Sequence, residues 1–156
     1  MIRDSIAAAQ IAAMKAGDKP RLAAIRLIMS TVKNRDIELR TSGAAVDDDV
    51  VVSEVMQKMI KQRRESIAMY EAGARQELAD IEAGEIAVIE SFLPAQMSEA
   101  EAGAAIDAIV AETGAASSEK LGVKDMGRVM ALVKERHAGT MDMGKASALV
   151  KARLGT

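Results

Sequence analysis

Apolar side chains return every three or four residues along almost the whole chain. That interval is the repeat of one face of an α-helix; a strand, whose faces alternate every second residue, does not produce it over such lengths. With Ile6, Ala9, Ala13 and Ala16 in phase, the spacing predicts a first helix over Ile2 to Ala16, ended by Gly17. Asp18 reads as the cap of a second helix with Pro20 in its first turn, running to about Arg40. Its inward stripe is Leu22, Ile25, Met29, Val32 and Leu39, interrupted by Asp36 where a core residue is expected. After Thr41-Ser42-Gly43, the acidic run Asp47-Asp48-Asp49 suits the positive end of a third helix reaching about Glu71. That helix turns Val52, Val55, Met56, Met59, Ile60, Ile67 and Tyr70 inward, although Val50-Val51-Val52 alone reads as a strand. Gly73 breaks it, and a fourth helix from Arg75 to Phe92 buries Leu78, Ile81, Ile86, Ile89 and Phe92. Gly84 inside this helix costs about 1 kcal/mol relative to alanine, which points to close packing or a bend there.

Pro94 sets the sharpest boundary, because proline pushes the residue before it out of the helical region. Ser98-Glu99-Ala100-Glu101 then matches a capping box, hydroxyl first and carboxylate three residues on. A fifth helix follows to Thr113, stopped by Gly114, and two shorter ones fit Lys124 to His137 and Asp142 to Leu154. The expected architecture is all-α: an N-terminal subdomain of helical-hairpin type over 1–92, a Leu-Pro linker over 93–97, and a C-terminal three-helix subdomain over 98–156.

What the chain lacks narrows its chemistry. It has no Cys, which removes thiolate nucleophiles and Cys-based metal sites, and a single His137 removes sites that need two imidazoles. Tyr70 and Phe92 are its two aromatic residues, too few for the stacking platforms on which single-stranded nucleic-acid binders depend. Ser147, His137 and Asp142 lack the strained turn that frames a catalytic serine, and the scattered glycines form no phosphate loop. No catalytic residue, metal or cofactor is expected. Nor is a membrane span, since the longest apolar runs are about five residues against the roughly 20 that a bilayer needs. With no secretory signal at the N-terminus, the reading is a cytoplasmic chain.

Charge divides the sequence unevenly, behind a net charge of −2. Residues 93–119 carry five acidic groups and no Lys or Arg, whereas residues 120–156 carry eight basic groups against three acidic ones. Such faces either neutralise one another on packing or leave cations to meet a polyanion. The candidate nucleic-acid contacts are Lys124, Arg128, Lys134, Arg136, Lys145 and Lys151, reading phosphate and sugar rather than bases. A secondary basic face comprises Arg26 and Lys33, in a column with Arg40 at seven-residue spacing, together with Lys58, Lys61 and Arg64. Each of these sets also suits an ordinary solvated helix face, with Lys61 and Glu65 as an i,i+4 pair.

Several segments in this order resemble the YqeY family. They are Arg26-Leu27 and Lys33-Asn34, Lys61-Gln62-Arg63-Arg64-Glu65-Ser66, Glu90-Ser91-Phe92-Leu93-Pro94-Ala95-Gln96, and Lys124-Asp125-Met126-Gly127-Arg128-Val129-Met130, with Gly139, Asp142, Val150 and Lys151 near the end. Val50-Val51-Val52 after Asp47 to Asp49 departs from the Thr-Asp-Glu-Glu more usual in that family. The resemblance implies a helical protein similar to the tail of the B subunit of the tRNA-dependent amidotransferase. That enzyme is a carbon–nitrogen ligase with glutamine as amido-nitrogen donor, and its ATP- and metal-binding body has no counterpart here. The implied function is a non-catalytic tRNA-binding or amidotransferase-related accessory protein, partnered by tRNA and by a tRNA-linked enzyme or other protein. The alternative is a helical protein–protein adaptor that binds no RNA.

Overall fold

The computed structural model describes residues 1–43 and 45–155. These are all-helical, in the order α1 (Ile2–Ala16), α2 (Lys19–Ser42), α3 (Asp48–Ala72), α4 (Gln76–Glu90), α5 (Glu99–Ala115), a 3-10 turn (Val123–Asp125), α6 (Met126–His137) and α7 (Met143–Leu154). They fall into two compact units that meet in sequence between Leu93 and Pro94.

In the first unit, α1 to α4 enclose Ile6, Ile25, Ile28, Val52, Met56 and Ile89. Gly17 ends α1 at φ 67, a conformation that glycine adopts without a Cβ penalty. Asp18 caps α2 by accepting from the Arg21 N–H, and Asp47 caps α3 by accepting from the Val50 N–H. Val51 and Val52 are buried within α3, so tertiary packing overrides the strand preference of the valine run. At the α3–α4 corner the left-handed conformation falls on Ala74 (φ 54), while Gly73 stays at φ −88.

Two inward expectations need correction. Met29 is 38% and Ile81 60% exposed, and their places are taken by Ile28 on α2 and Ala79 on α4. Ile28 and Met29 lie three and four residues after Ile25, and only the neighbouring helices select between them. Ile81 stands about 140° from Ile86, at the edge of its stripe. Gly84 has open space around it, with nothing within 4 Å of an added Cβ, so close packing does not explain it. Gly84→Ala is therefore expected to stabilise the first unit by about 0.5–1 kcal/mol, checked by its thermal midpoint.

Asp36, the acid expected to face the core, is half-buried and has a partner from another helix. Arg3 of α1 donates from Nη2 and Nη1 to its carboxylate at 2.7 and 3.0 Å, and from Nε to Asp48 of α3 at 2.8 Å. The Ile2 N–H donates to Asp49 at 2.8 Å. One guanidinium thus fastens three helices, and it holds the Asp36 carboxyl below its ordinary range through those hydrogen bonds.

In the second unit, α5, α6 and α7 pack around Ile106, Ile109, Val129, Val133, Ala146 and Val150. The capping box at its start is complete: Ser98 Oγ accepts from the Glu101 N–H, and Glu101 accepts from the Ser98 N–H. Gly114 does not stop α5, which continues to Ala115 with Leu121 covering the glycine at van der Waals distance. The chain before α5 is tied to the α6–α7 turn. The Met97 N–H donates to the Thr140 carbonyl at 2.9 Å, and Gln96 Nε2 donates to the Gly139 carbonyl at 2.8 Å. Gly139 is buried at φ 85, where a side chain would be strained.

Candidate nucleic-acid interface

The second unit places its acidic helix against its two basic ones. Arg136, in the last turn of α6, forms a two-pronged contact with Glu112 of α5 at 2.7 and 2.8 Å. Arg153, in the last turn of α7, donates from Nε to Asp107 of α5 at 2.7 Å. These hydrogen bonds hold the Glu112 and Asp107 carboxyls below their ordinary range. Lys124 lies 3.1 Å from Glu119, and Arg128 lies 3.5 Å from Asp125. Those two contacts are local and exposed, the kind that solvent and salt weaken most readily.

Lys145 and Lys151 of α7 are exposed and, among the described residues, in no ion pair; Lys120 before the 3-10 turn is the same. Lys134 is also exposed, on α6. Helix geometry spreads the candidates around their axes: Arg128 and Lys134 stand about 120° apart on α6, and Lys145 and Lys151 about 120° apart on α7. The cations therefore ring the two helices and do not line a single face. Such an array meets phosphates approaching from more than one side and is not suited to following one strand.

Helix N-termini add little here. Asp142 caps α7 by accepting from the Lys145 N–H at 2.9 Å, and Asp125 accepts from the Gly122 N–H at 2.9 Å, so carboxylates occupy donors a phosphate would use. Asp142 is thus committed to a cap, and the His137 carbonyl accepts from Thr140 and Met141 in the turn.

In the first unit, Arg26 and Lys33 lie exposed on α2, and Lys58 and Lys61 lie exposed on α3. Arg64 reaches Glu90 of α4 at 3.3 Å, and no ion pair joins Lys61 to Glu65 among the described residues. Arg63, within the same basic run, points the other way. It is 8% exposed, donates from Nε to Glu85 at 2.9 Å, and donates from Nη1 to the Met59 carbonyl. A run of four cations in sequence conceals this inversion, because only the helical phase relative to Met59 and Ile60 marks Arg63 as inward. A shallow cleft of about 540 Å³ between Arg3, Asp36, Leu39, Arg40, Gly43 and Asp48 is polar, but its two acids are already spent on Arg3.

Comparison with known proteins places this geometry in context. The family model described as Yqey-like protein matches residues 3–154. Among curated proteins, the mitochondrial "Altered inheritance of mitochondria protein 41" of Kluyveromyces lactis is 36% identical over 80 residues, covering 51% of this chain and 42% of the relative. The proteins of the same name from Saccharomyces cerevisiae and Candida glabrata are each 33% identical over 81 residues, covering 52% of this chain and 42% and 43% of theirs. The chain thus spans less than half the length of the curated relatives it matches. Their names correct one expectation: they are designated mitochondrial, so a plain cytoplasmic assignment does not hold.

Proposed function

This chain belongs to the Yqey-like protein family, and on that premise we propose that it is a non-catalytic accessory protein whose second unit holds the phosphate backbone of structured RNA, tRNA in the first place. The observation that carries the reading is the division of labour among its cations. Once α5 has taken Arg136 and Arg153, Lys145 and Lys151 remain open on α7. Lysines held away from carboxylates release counterions on meeting phosphate without first breaking a protein contact. Lys124 and Arg128, in exposed local pairs, exchange partners readily and extend the footprint. With two aromatic side chains in the sequence, recognition rests on charge and on the shape of a folded RNA. The resemblance of the family to the tail of the tRNA-dependent amidotransferase B subunit favours tRNA over other folded RNA.

Titration of the full chain with unmodified tRNA at increasing salt tests this. If Lys120, Lys145 and Lys151 each neutralise one phosphate, affinity falls about 40-fold between roughly 50 and 200 mM salt. Lys145→Glu with Lys151→Glu is expected to weaken binding to all tRNAs alike. A flat salt dependence, or a loss confined to one tRNA, overturns the reading.

A further inference from the structure

A different surface, on α2 in the first unit, carries a pattern that backbone phosphates do not account for. From Lys19 to Arg35 the helix holds five basic residues and no acidic one, within a unit that is otherwise acidic. Lys19, Arg26, Lys33 and Arg40 recur at strict seven-residue spacing, and all four are exposed. Leu22, Met29 and Ile37 fall between them on the same side, so that the seven side chains occupy an arc of about 80°. Leu22 is half-buried against the core, whereas Met29 is 38% and Ile37 52% exposed. Among the described residues none of the four cations is in an ion pair, although the charge of Arg40 also reaches Asp36.

None of this serves α2 itself. A lysine in the first turn opposes the helix dipole, and the one acid beside it, Asp18, is committed to the cap. The cations are seven apart and cannot pair with one another. Asp36, three residues after Lys33 and four before Arg40, is the acid of α2 nearest this column, and its carboxylate is taken by Arg3 of α1. Met29 and Ile37 are large apolar groups left in water beside them. The face is therefore arranged for something outside this unit.

We propose that this face of α2 docks an acidic amphipathic α-helix of a partner protein, side by side over about three heptads. Seven residues advance a helix by almost two whole turns, so a second helix laid alongside presents its own residues at the same interval. Carboxylates at every seventh position meet Lys19, Arg26, Lys33 and Arg40, and apolar residues between them cover Leu22, Met29 and Ile37. Charge and apolar pattern are satisfied together, as in the flanks and seam of a two-helix contact. A nucleic-acid backbone satisfies the cations and leaves Met29 and Ile37 wet. A membrane surface needs a wide apolar face, and three residues, one of them half-buried, do not make one.

The test uses the full-length chain and a synthetic helical peptide of about three heptads, with glutamate at every seventh position and leucine three residues after each. A peptide of the same composition with its faces scrambled is the control. Fluorescence anisotropy is expected to detect binding of the patterned peptide, weakening as salt is raised. Arg26→Glu with Lys33→Glu, both exposed and compatible with helix, is expected to weaken it by on the order of tenfold with unchanged circular dichroism. The same double variant is expected to gain binding to a peptide carrying lysine in place of glutamate, which a folding defect does not produce. Absence of binding up to about 0.5 mM peptide, equal binding of the scrambled peptide, or indifference to the double reversal each overturns the proposal. So does a reversal that abolishes only tRNA binding or only binding to phosphatidylglycerol vesicles, outcomes that assign the face to phosphates or to a lipid surface. Because the tRNA reading rests on Lys145 and Lys151 in the other unit, the two proposals fail independently.

Discussion

Arg63→Ala is expected to lower the stability of the first unit by about 2–3 kcal/mol, among the largest effects of any single charged residue in the chain. Arg63 is buried beside Met59 and Ile60 with its guanidinium aimed at α4, where Glu85 lies at 2.9 Å and Glu82 at 3.8 Å. Alanine removes a stem that fills core space, a donor to the Met59 carbonyl, and the cation that compensates two carboxylates. Breaking a buried pair commonly costs about 3–5 kcal/mol. The lower figure applies because Glu82 and Glu85 are a quarter to a third exposed and regain water once Arg63 is gone. Arg63→Lys, which keeps the charge and loses the planar fork, is expected to fall between the wild-type chain and Arg63→Ala. Urea unfolding followed by tyrosine emission measures this directly. Tyr70 is the one tyrosine, it lies on α3, and no tryptophan obscures it. A loss below about 0.5 kcal/mol would place Arg63 among ordinary surface cations and contradict its assigned role.

Ile106→Ala is expected to cost about 3–4 kcal/mol in the second unit, and there the consequence is greater. Ile106 is fully buried, among Ile109, Val129, Val133 and Val150. A unit of roughly 60 residues with an aliphatic core commonly has only about 3–5 kcal/mol of net stability. The cavity left by alanine consumes most of that, because helices held by short connections close on a void only in part. The expected result is a population substantially unfolded in α5 to α7 at about 37 °C. Circular dichroism then shows lost helix at temperatures where Tyr70 emission stays native. Ile106→Val, which removes one methylene, is expected to cost only about 1 kcal/mol and to restore the transition. Indifference to the alanine variant would mean that this core is not the one holding α5 to α7 together.

These two positions differ in how far the sequence disclosed them. Ile106 follows the capping box by an ordinary helical interval and sits in phase with Ala102 and Ile109, so its inward orientation was legible. Arg63 carried only a phase signal, its register with Met59 and Ile60, and Lys61-Gln62-Arg63-Arg64 reads against it as a basic surface. The carboxylates that justify burying it lie on the next helix, about 20 residues away. Arg3 is a similar case, since its partners Asp36 and Asp48 lie on two other helices. Met29 and Ile81 failed in the opposite sense. Each lies in the apolar stripe of its own helix or at its edge, and only the position of the neighbouring helices leaves them in solvent. For the charged helices, the sequence admitted two outcomes, mutual neutralisation or outward display. The structure assigns the arginines near the ends of α6 and α7 to α5, and leaves Lys145 and Lys151 exposed.

What the sequence determined by itself is local: an all-helical chain, the caps at Asp18 and Ser98, the acidic start of the third helix, the glycine stops at Gly17 and Gly43, and the break at Pro94. Caps, turns and apolar periodicity act within a few residues, so their physics is complete in a short stretch of chain. Tertiary structure alone decided which cations are spent and which remain open. Whether a side chain meets an opposite charge depends on another helix at a distance of a few ångströms, and an ion pair weakens steeply with separation and solvent exposure. The lysines of α7, and the heptad column of α2, are what that selection leaves exposed.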